Sequence, residues 1–197
     1  MECIHLRVFS FFCVLLVIML GQGHLVGQNS TTQPICFSTS TGKVIAIWQQ
    51  YDDLGNYYIK ANTQSNGVWN TSSTLSANGQ TALLYQYGID NFGNALVVWL
   101  GVDPNTANRY VFANTYSQTG GWSAPVQIST TGNPVNPSIV PIEQITVVNT
   151  AAVGSTFVTV WCAYDSTLGQ INIYSASISY NILTGWGSWG NVVLVSS

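Results

Sequence analysis

A chain of 197 residues holding four Lys and Arg against seven Asp and Glu carries a formal net charge of −3. So few cations cannot neutralise a row of phosphates or an anionic bilayer surface, which excludes nucleic acid as a partner and, once the leader described next is removed, a membrane. Gly, Ser, Thr and Asn are plentiful, aromatic and β-branched residues are common, and the Glu, Lys and Arg of surface helices are scarce, so the chain reads as all-β.

The first residues, MECIHLRVFSFFCVLLVIMLGQGHLVGQ, set one basic residue, Arg7, ahead of an apolar run from Val8 to Leu20. That is the layout of a secretory signal, and its length of about 13 residues is short for a membrane-crossing helix. Residues 1–27 are therefore expected to be a cleaved signal peptide, ending at Gly23 or Gly27, and 28–197 one exported domain, secreted, periplasmic or at the cell surface. An uncleaved anchor is the competing reading. Cleavage leaves at most one histidine, because His5 and His24 both lie in this segment.

The strand candidates then recur in one order. "PICFSTS" precedes "GKVIAIW" (42–48), Asp52, "YYIKANT" with Ala61, and "WNTSSTLS" from Trp69. "LLYQYGI" precedes "GNALVVW" (93–99), Asp103, "RYVFANT" with Ala113, and "WSAPVQIS" from Trp122. "PSIVPIEQITVV" precedes "STFVTVW" (155–161), Asp165, "INIYSAS" with Ala176, and "WGNVVLVS" from Trp189. Units of about 50 to 60 residues, each with four short strands between turn residues, have the form of propeller blades. The expected fold is a partial β-propeller of three four-stranded antiparallel blades, at about 33–76, 82–129 and 137–196.

In each unit the second strand (VIAIW, ALVVW, FVTVW) is apolar on both faces, as suits a strand held between neighbouring blades. Trp48, Trp99 and Trp161 are then the filler between blades, each worth several kcal/mol at about 25 cal/mol per Å2 of buried apolar area. "DDLGN", "DPNTAN" and "DSTLG" follow these strands. A carboxylate in such a turn can bind calcium, but one or two per turn suit hydrogen bonding to the turn's own backbone better, and no metal or cofactor is expected. Cys36 and Cys162 fall in the first and third units, so an intrachain disulfide would have to cross a whole blade, whereas bonded cysteines need Cα atoms within about 7 Å.

The second unit, "GIDNFGNALVVWLGVDPNTANRYVFANTYSQTGGWSAPVQIS", resembles the tandem repeats of secreted bacterial proteins with sialidase-like (BNR-type) β-propeller folds. There a D-x-x-G-N-A turn leads to a V-W strand and a G-G-W turn to a P-x-x-L-S strand. Asp90, Gly93, Asn94, Ala95, Trp99, Gly120, Gly121, Trp122, Pro125 and Ser129 match, and the likeness, clear here and eroded in the flanking units, covers residues 33 to 197. It implies a fold rather than an activity. Sialidase chemistry implies three arginines around the substrate carboxylate and a tyrosine nucleophile backed by an acid. This chain has one arginine beyond the leader, Arg109, and one glutamate, Glu143, and it lacks the S-x-D-x-G-x-x-W form. Ser-His-Asp and Cys-His devices need a histidine, and a glycosidase needs two acids in one pocket.

A non-catalytic binding or assembly module is the reading that remains, taking a glycan or a protein. Glycoside processing on a sialidase-like fold, or a non-functional fragment of a longer propeller, are the alternatives. Candidate binding residues are Trp186, which the repeat does not require, Tyr51 and Tyr164, three residues past their tryptophans, and Arg109. The simpler reading of Trp186, and the favoured one, is that it covers a blade edge. The sequons at Asn29 and Asn70 matter only in a eukaryotic secretory pathway. Three blades are too few for a closed ring, so a homodimer closing a six-bladed ring is expected.

Overall fold

The computed structural model describes residues 34–39, 41–77, 80–103, 105, 108–129, 146–152, 154–165 and 170–196, and the expected signal peptide lies outside them. Strands form three antiparallel sheets of one plan, and there is no helix among the described residues. The first sheet holds β1 (Ile35–Ser38), β2 (Val44–Tyr51), β3 (Tyr57–Ser65), β4 (Val68–Trp69) and β5 (Ser73–Thr74). The second holds β6 (Thr81–Ile89), β7 (Ala95–Val102), β8 (Arg109–Ser117), β9 (Gly121–Trp122) and β10 (Val126–Gln127). The third holds β11 (Thr146–Ala152), β12 (Gly154–Asp165), β13 (Gln170–Asn181), β14 (Gly185–Trp186) and β15 (Val193–Ser196).

Each sheet is a meander whose fourth strand is broken into two pieces, both paired with the third strand, so the sheets have five pieces rather than the four expected. In the first two sheets the break is a one-residue bulge: Trp69 faces Gln64 but Ser73 faces Ala61, and Trp122 faces Tyr116 but Val126 faces Ala113. One extra residue on the edge strand twists it and interrupts its pairing edge. The candidate "PSIVPIEQITVV" reaches the described residues only at its end, where β11 begins at Thr146.

Turn chemistry sets the hairpins. Asn66 and Gly67, with φ of 52° and 78°, make the two-residue turn between β3 and β4, the signature use of Asn-Gly. Between β6 and β7, Asp90 accepts from the backbone N–H of Phe92 and of Asn94, both at 2.8 Å, and Gly93 sits at φ 79°. A β-carbon on Gly93 would lie 2.6 Å from Thr39 Cβ, so only glycine fits where the first sheet approaches.

The second strand of the middle sheet explains the stacking. Ala95, Val97 and Trp99 of β7 share a cluster with Ile45, Ile47, Ile59, Ala61 and Leu75 of the first sheet and its connection. The alternate residues Leu96, Val98 and Leu100 join Val111 and Ala113 in a second cluster with Phe157, Trp161, Tyr174 and Ile178 of the third. Strand alternation thus sends one set of side chains to each neighbour, which is why the run carries no polar position.

Polar groups tie the first two sheets at both ends. At one end Gln118 donates to Phe92 O (2.7 Å), accepts Thr41 Oγ1 (2.8 Å) on its side chain, and accepts Lys43 Nζ (3.1 Å) on its backbone carbonyl. At the other, Gln49 Nε2 donates to Ala82 O at 2.7 Å.

One sequence landmark moves. Ala61 pairs with Ile47 and Ala113 with Val98, but Ala176 pairs with Thr159, and Ser175 holds the corresponding place opposite Val160. A one-residue offset reverses the face of a strand residue, so Ala176 looks back toward the second sheet. Cys162 is a thiol, so no bridge joins it to Cys36.

Candidate functional site

Strand direction separates the candidate residues into two groups. Tyr51 ends β2, Arg109 opens β8 opposite Val102, and Tyr164 pairs with Ile171 one rung from the end of the β12–β13 hairpin. All three stand where second strands turn into third strands. The inter-sheet bond from Thr81 Oγ1 to Asn56 Oδ1 (3.2 Å) shows that these ends lie side by side in the first two sheets. Trp186 pairs with Tyr180 at the opposite end of its sheet. The four residues therefore do not form one site.

At the Tyr51 end, the ring meets Tyr57 edge-on, with centroids 4.7 Å apart and planes at 63°. Its phenol lies over the turn: a β-carbon on Gly55, at φ 88°, would sit 3.2 Å from Tyr51 Oη. Asp52 begins that turn. Its Oδ1 accepts from the backbone N–H of Leu54 (2.9 Å) and Asn56 (2.8 Å), and its Oδ2 from Asn56 Nδ2 (3.2 Å). These bonds, led by the Asn56 backbone N–H, hold its carboxyl below the ordinary aspartate value against an opposing contribution from burial.

Asp90 makes the same three bonds at the other end of the second sheet, with Asn94 Nδ2 at 2.7 Å from Oδ2. Asp103 caps the β7–β8 turn, accepting Asn105 N–H at 2.8 Å. The described residues include no cluster of three or more metal-ligating side chains. Asp165 closes its strand pairing with Gln170, and the turn that follows lies outside the described residues, as does Glu143.

Two polar groups at this end are unspent: Gln80 Oε1, buried without a donor beside Gly101, and the guanidinium of Arg109. The Arg109 Nη1 is buried without an acceptor, and burial lowers the guanidinium pKa from its usual value. It shares a face with Val111 and Ala113, at the rim of the seam toward the third sheet. From that sheet the seam holds Asn172, 1% exposed, whose Nδ2 donates to Tyr174 Oη (3.3 Å) and whose Oδ1 accepts Gln170 Nε2 (3.1 Å). A guanidinium N–H removed from water and left unpaired invites an oxygen acceptor.

Trp186 is spoken for by packing. Its ring lies 5.2 Å from Phe157 and 5.3 Å from Tyr180, centroid to centroid, and it covers the cluster between the second and third sheets. It is extra to the plan of the other sheets. The residue after Trp69 bonds Thr63 O, the residue after Trp122 bonds Thr115 O, and Gly190, after Trp189, bonds Ser177 O in the matching place. Nothing in the sequence distinguished a free ring from this wedge, since Phe157 and Tyr180 reach it only through the β12–β13 pairing of Ser155 with Tyr180.

No protein-family model matches the chain, and no curated protein matches it. Among solved structures, it is similar to the Hadza microbial sialidase Hz136, with a TM-score of 0.46 and 11% identity over 81% of this chain. The chain spans 37% of the length of that protein.

Proposed function

We propose that the chain is an exported, non-catalytic binding module on a propeller-type scaffold, its three sheets acting as blades about an axis. The ligand end is the one that carries Tyr51, Arg109 and Tyr164. Its ligand is an oxygen-rich neutral surface, a glycan or an exposed protein segment. The observation that carries this reading is how polar capacity is spent at that end. Asp52 gives its oxygens to backbone and amide N–H groups of its own turn, which leaves them unsuited to acid–base work on a substrate, while Arg109 keeps a buried N–H without an acceptor.

A glycan array read twice, for retention and for cleavage products by mass spectrometry, tests the reading. Retention without cleavage, lost in Arg109→Gln, is the expected result. Hydrolysis of any glycoside would overturn the non-catalytic assignment, and retention unchanged in Arg109→Gln would remove Arg109 from the site.

A further inference from the structure

Both internal seams are built from the same two faces. The first sheet presents Ile45, Ile47, Ile59 and Ala61 to the Trp99 face of the second, and the second presents Leu96, Val98, Val111 and Ala113 to the Trp161 face of the third. Among the described residues, one face of each kind has no partner sheet. On the third sheet, pairing register puts Val158, Val160, Ile173 and Ser175 where Leu96, Val98, Val111 and Ala113 stand in the second. On the first sheet, register puts Val44, Ala46 and Trp48 where Ala95, Val97 and Trp99 stand.

Exposure shows the consequence. Trp99 and Trp161 are 0% and 2% exposed, and Leu96 and Val98 are both 0%. Trp48, Val158, Val160 and Ile173, in the matching places, are only half-buried, whereas Ala46, next to Trp48 on its face, is 1% exposed. The third sheet's outer face thus repeats the chemistry of two faces that are covered, down to the Ser177 and Ser179 that stand where Thr115 and Ser117 do. A face of that composition left to water is of the kind monomers avoid.

We infer that a second copy of this chain covers it: Trp48 of one copy seats on the partner's Val158 and Val160, as Trp99 and Trp161 seat within the chain. This rests on the stacked-sheet part of the module reading. The molecule supplies both halves of the contact, and its two internal seams are the template. Because the two faces differ, the contact is head-to-tail, and it either closes into a ring or runs on as a filament. Two copies close it, giving six sheets in which every tryptophan face is covered.

Lys60 sets its strength. It stands opposite Trp48 where Phe112 and Tyr174 stand opposite Trp99 and Trp161, stacked on them with ring centroids 6.2 Å and 6.3 Å apart. A lysine there keeps the uncovered face soluble and weakens the seam relative to the internal ones, which makes association reversible.

Light scattering after size exclusion, across a concentration series of the full-length and processed protein, reads the mass. The expected result is twice the protomer mass, reverting to the protomer in Trp48→Ala and in Val160→Asp, while Lys60→Phe stays associated at concentrations at least tenfold lower. Unfolding midpoints confirm that each variant folds. Alkylation of Cys162, on the same face, followed at its own peptide by mass spectrometry, slows as wild type associates. A wild type that stays a monomer, or variants that keep the dimer mass, would overturn the inference. A monomer that retains a glycan uncleaved sinks the seam alone; a dimer that hydrolyses one sinks the non-catalytic reading alone.

Discussion

The middle sheet and the two that flank it use the same strand plan under different circumstances. β7 is buried on both sides from Ala95 to Gly101, while β13 alternates strictly: Asn172, Tyr174, Ala176, Ile178 and Tyr180 are buried and the residues between them are not. Burial on a second face therefore follows from having a neighbour rather than from the strand's own preference for one, since Val158 and Val160 have side chains as apolar as those of Leu96 and Val98. Among the described residues, the end sheets are middle sheets with one neighbouring sheet fewer. The sharpest test of that statement compares Trp99 with Trp48. Trp99→Ala opens a cavity between two sheets and is expected to cost about 3–5 kcal/mol. Trp48→Ala, measured by urea unfolding at a concentration too low for association, should cost about 1–2 kcal/mol, because half of that ring's transfer to an apolar setting is missing. Equal losses would mean that Trp48 is already covered within the chain.

Gly42 and Gly93 provide a smaller contrast of the same kind. Each occupies the fourth position of the turn between first and second strands, with φ of 77° and 79°. The β-carbon of Gly42→Ala would meet nothing within 4 Å, so only the left-handed backbone resists it, about 1–2 kcal/mol. Gly93→Ala adds a collision with Thr39 and the Gln118 amide, which belong to two different sheets, and should lose about 1–3 kcal/mol more. Thermal unfolding of the two variants side by side reads the difference, and its size measures how rigidly the first seam is held at this end.

Much of this was readable from residues alone, because the signals were local. The D-x-x-G-N turn and an unbroken apolar second strand each depend on neighbours within a few positions, and both appear in the structure where the sequence puts them. What could not be read depends on register. The offset of Ala176 arises because the β12–β13 hairpin seats Trp161 opposite Tyr174, one residue out of step with the alanine, and the sequence carries no mark of that slip. β6 hides a similar device: Leu84, at φ 40°, bulges between Leu83 and Tyr85 and restores Tyr85 and Tyr87 to the face of Ala82. The break in the fourth strand of each of the first two sheets is a one-residue bulge of the same sort, while in the third it takes two extra residues. Arg109's missing acceptor was equally out of reach, since no motif around it marks that its Nη1 is buried without a partner.

The smallest effect separates Asp52 from Asp90, which make one turn in two settings. Asp90 is 5% exposed and Asp52 is only half-buried, so the same three bonds should matter less to stability at Asp52. The Asp52 carboxyl has a lower pKa in the folded chain than in the unfolded one, so the unfolded chain binds its proton more readily. Its contribution is therefore fully present above the ordinary aspartate value of about 3.9 and is lost as pH falls through the lower folded value. Asp52→Asn keeps an acceptor for the Leu54 and Asn56 N–H groups but removes the charge. The stability gap between wild type and Asp52→Asn should hold steady from neutral pH down to about pH 4 and narrow below it. A gap that instead widened on acidification would mean that the turn holds the neutral acid more tightly than the carboxylate, against the three donors that surround it.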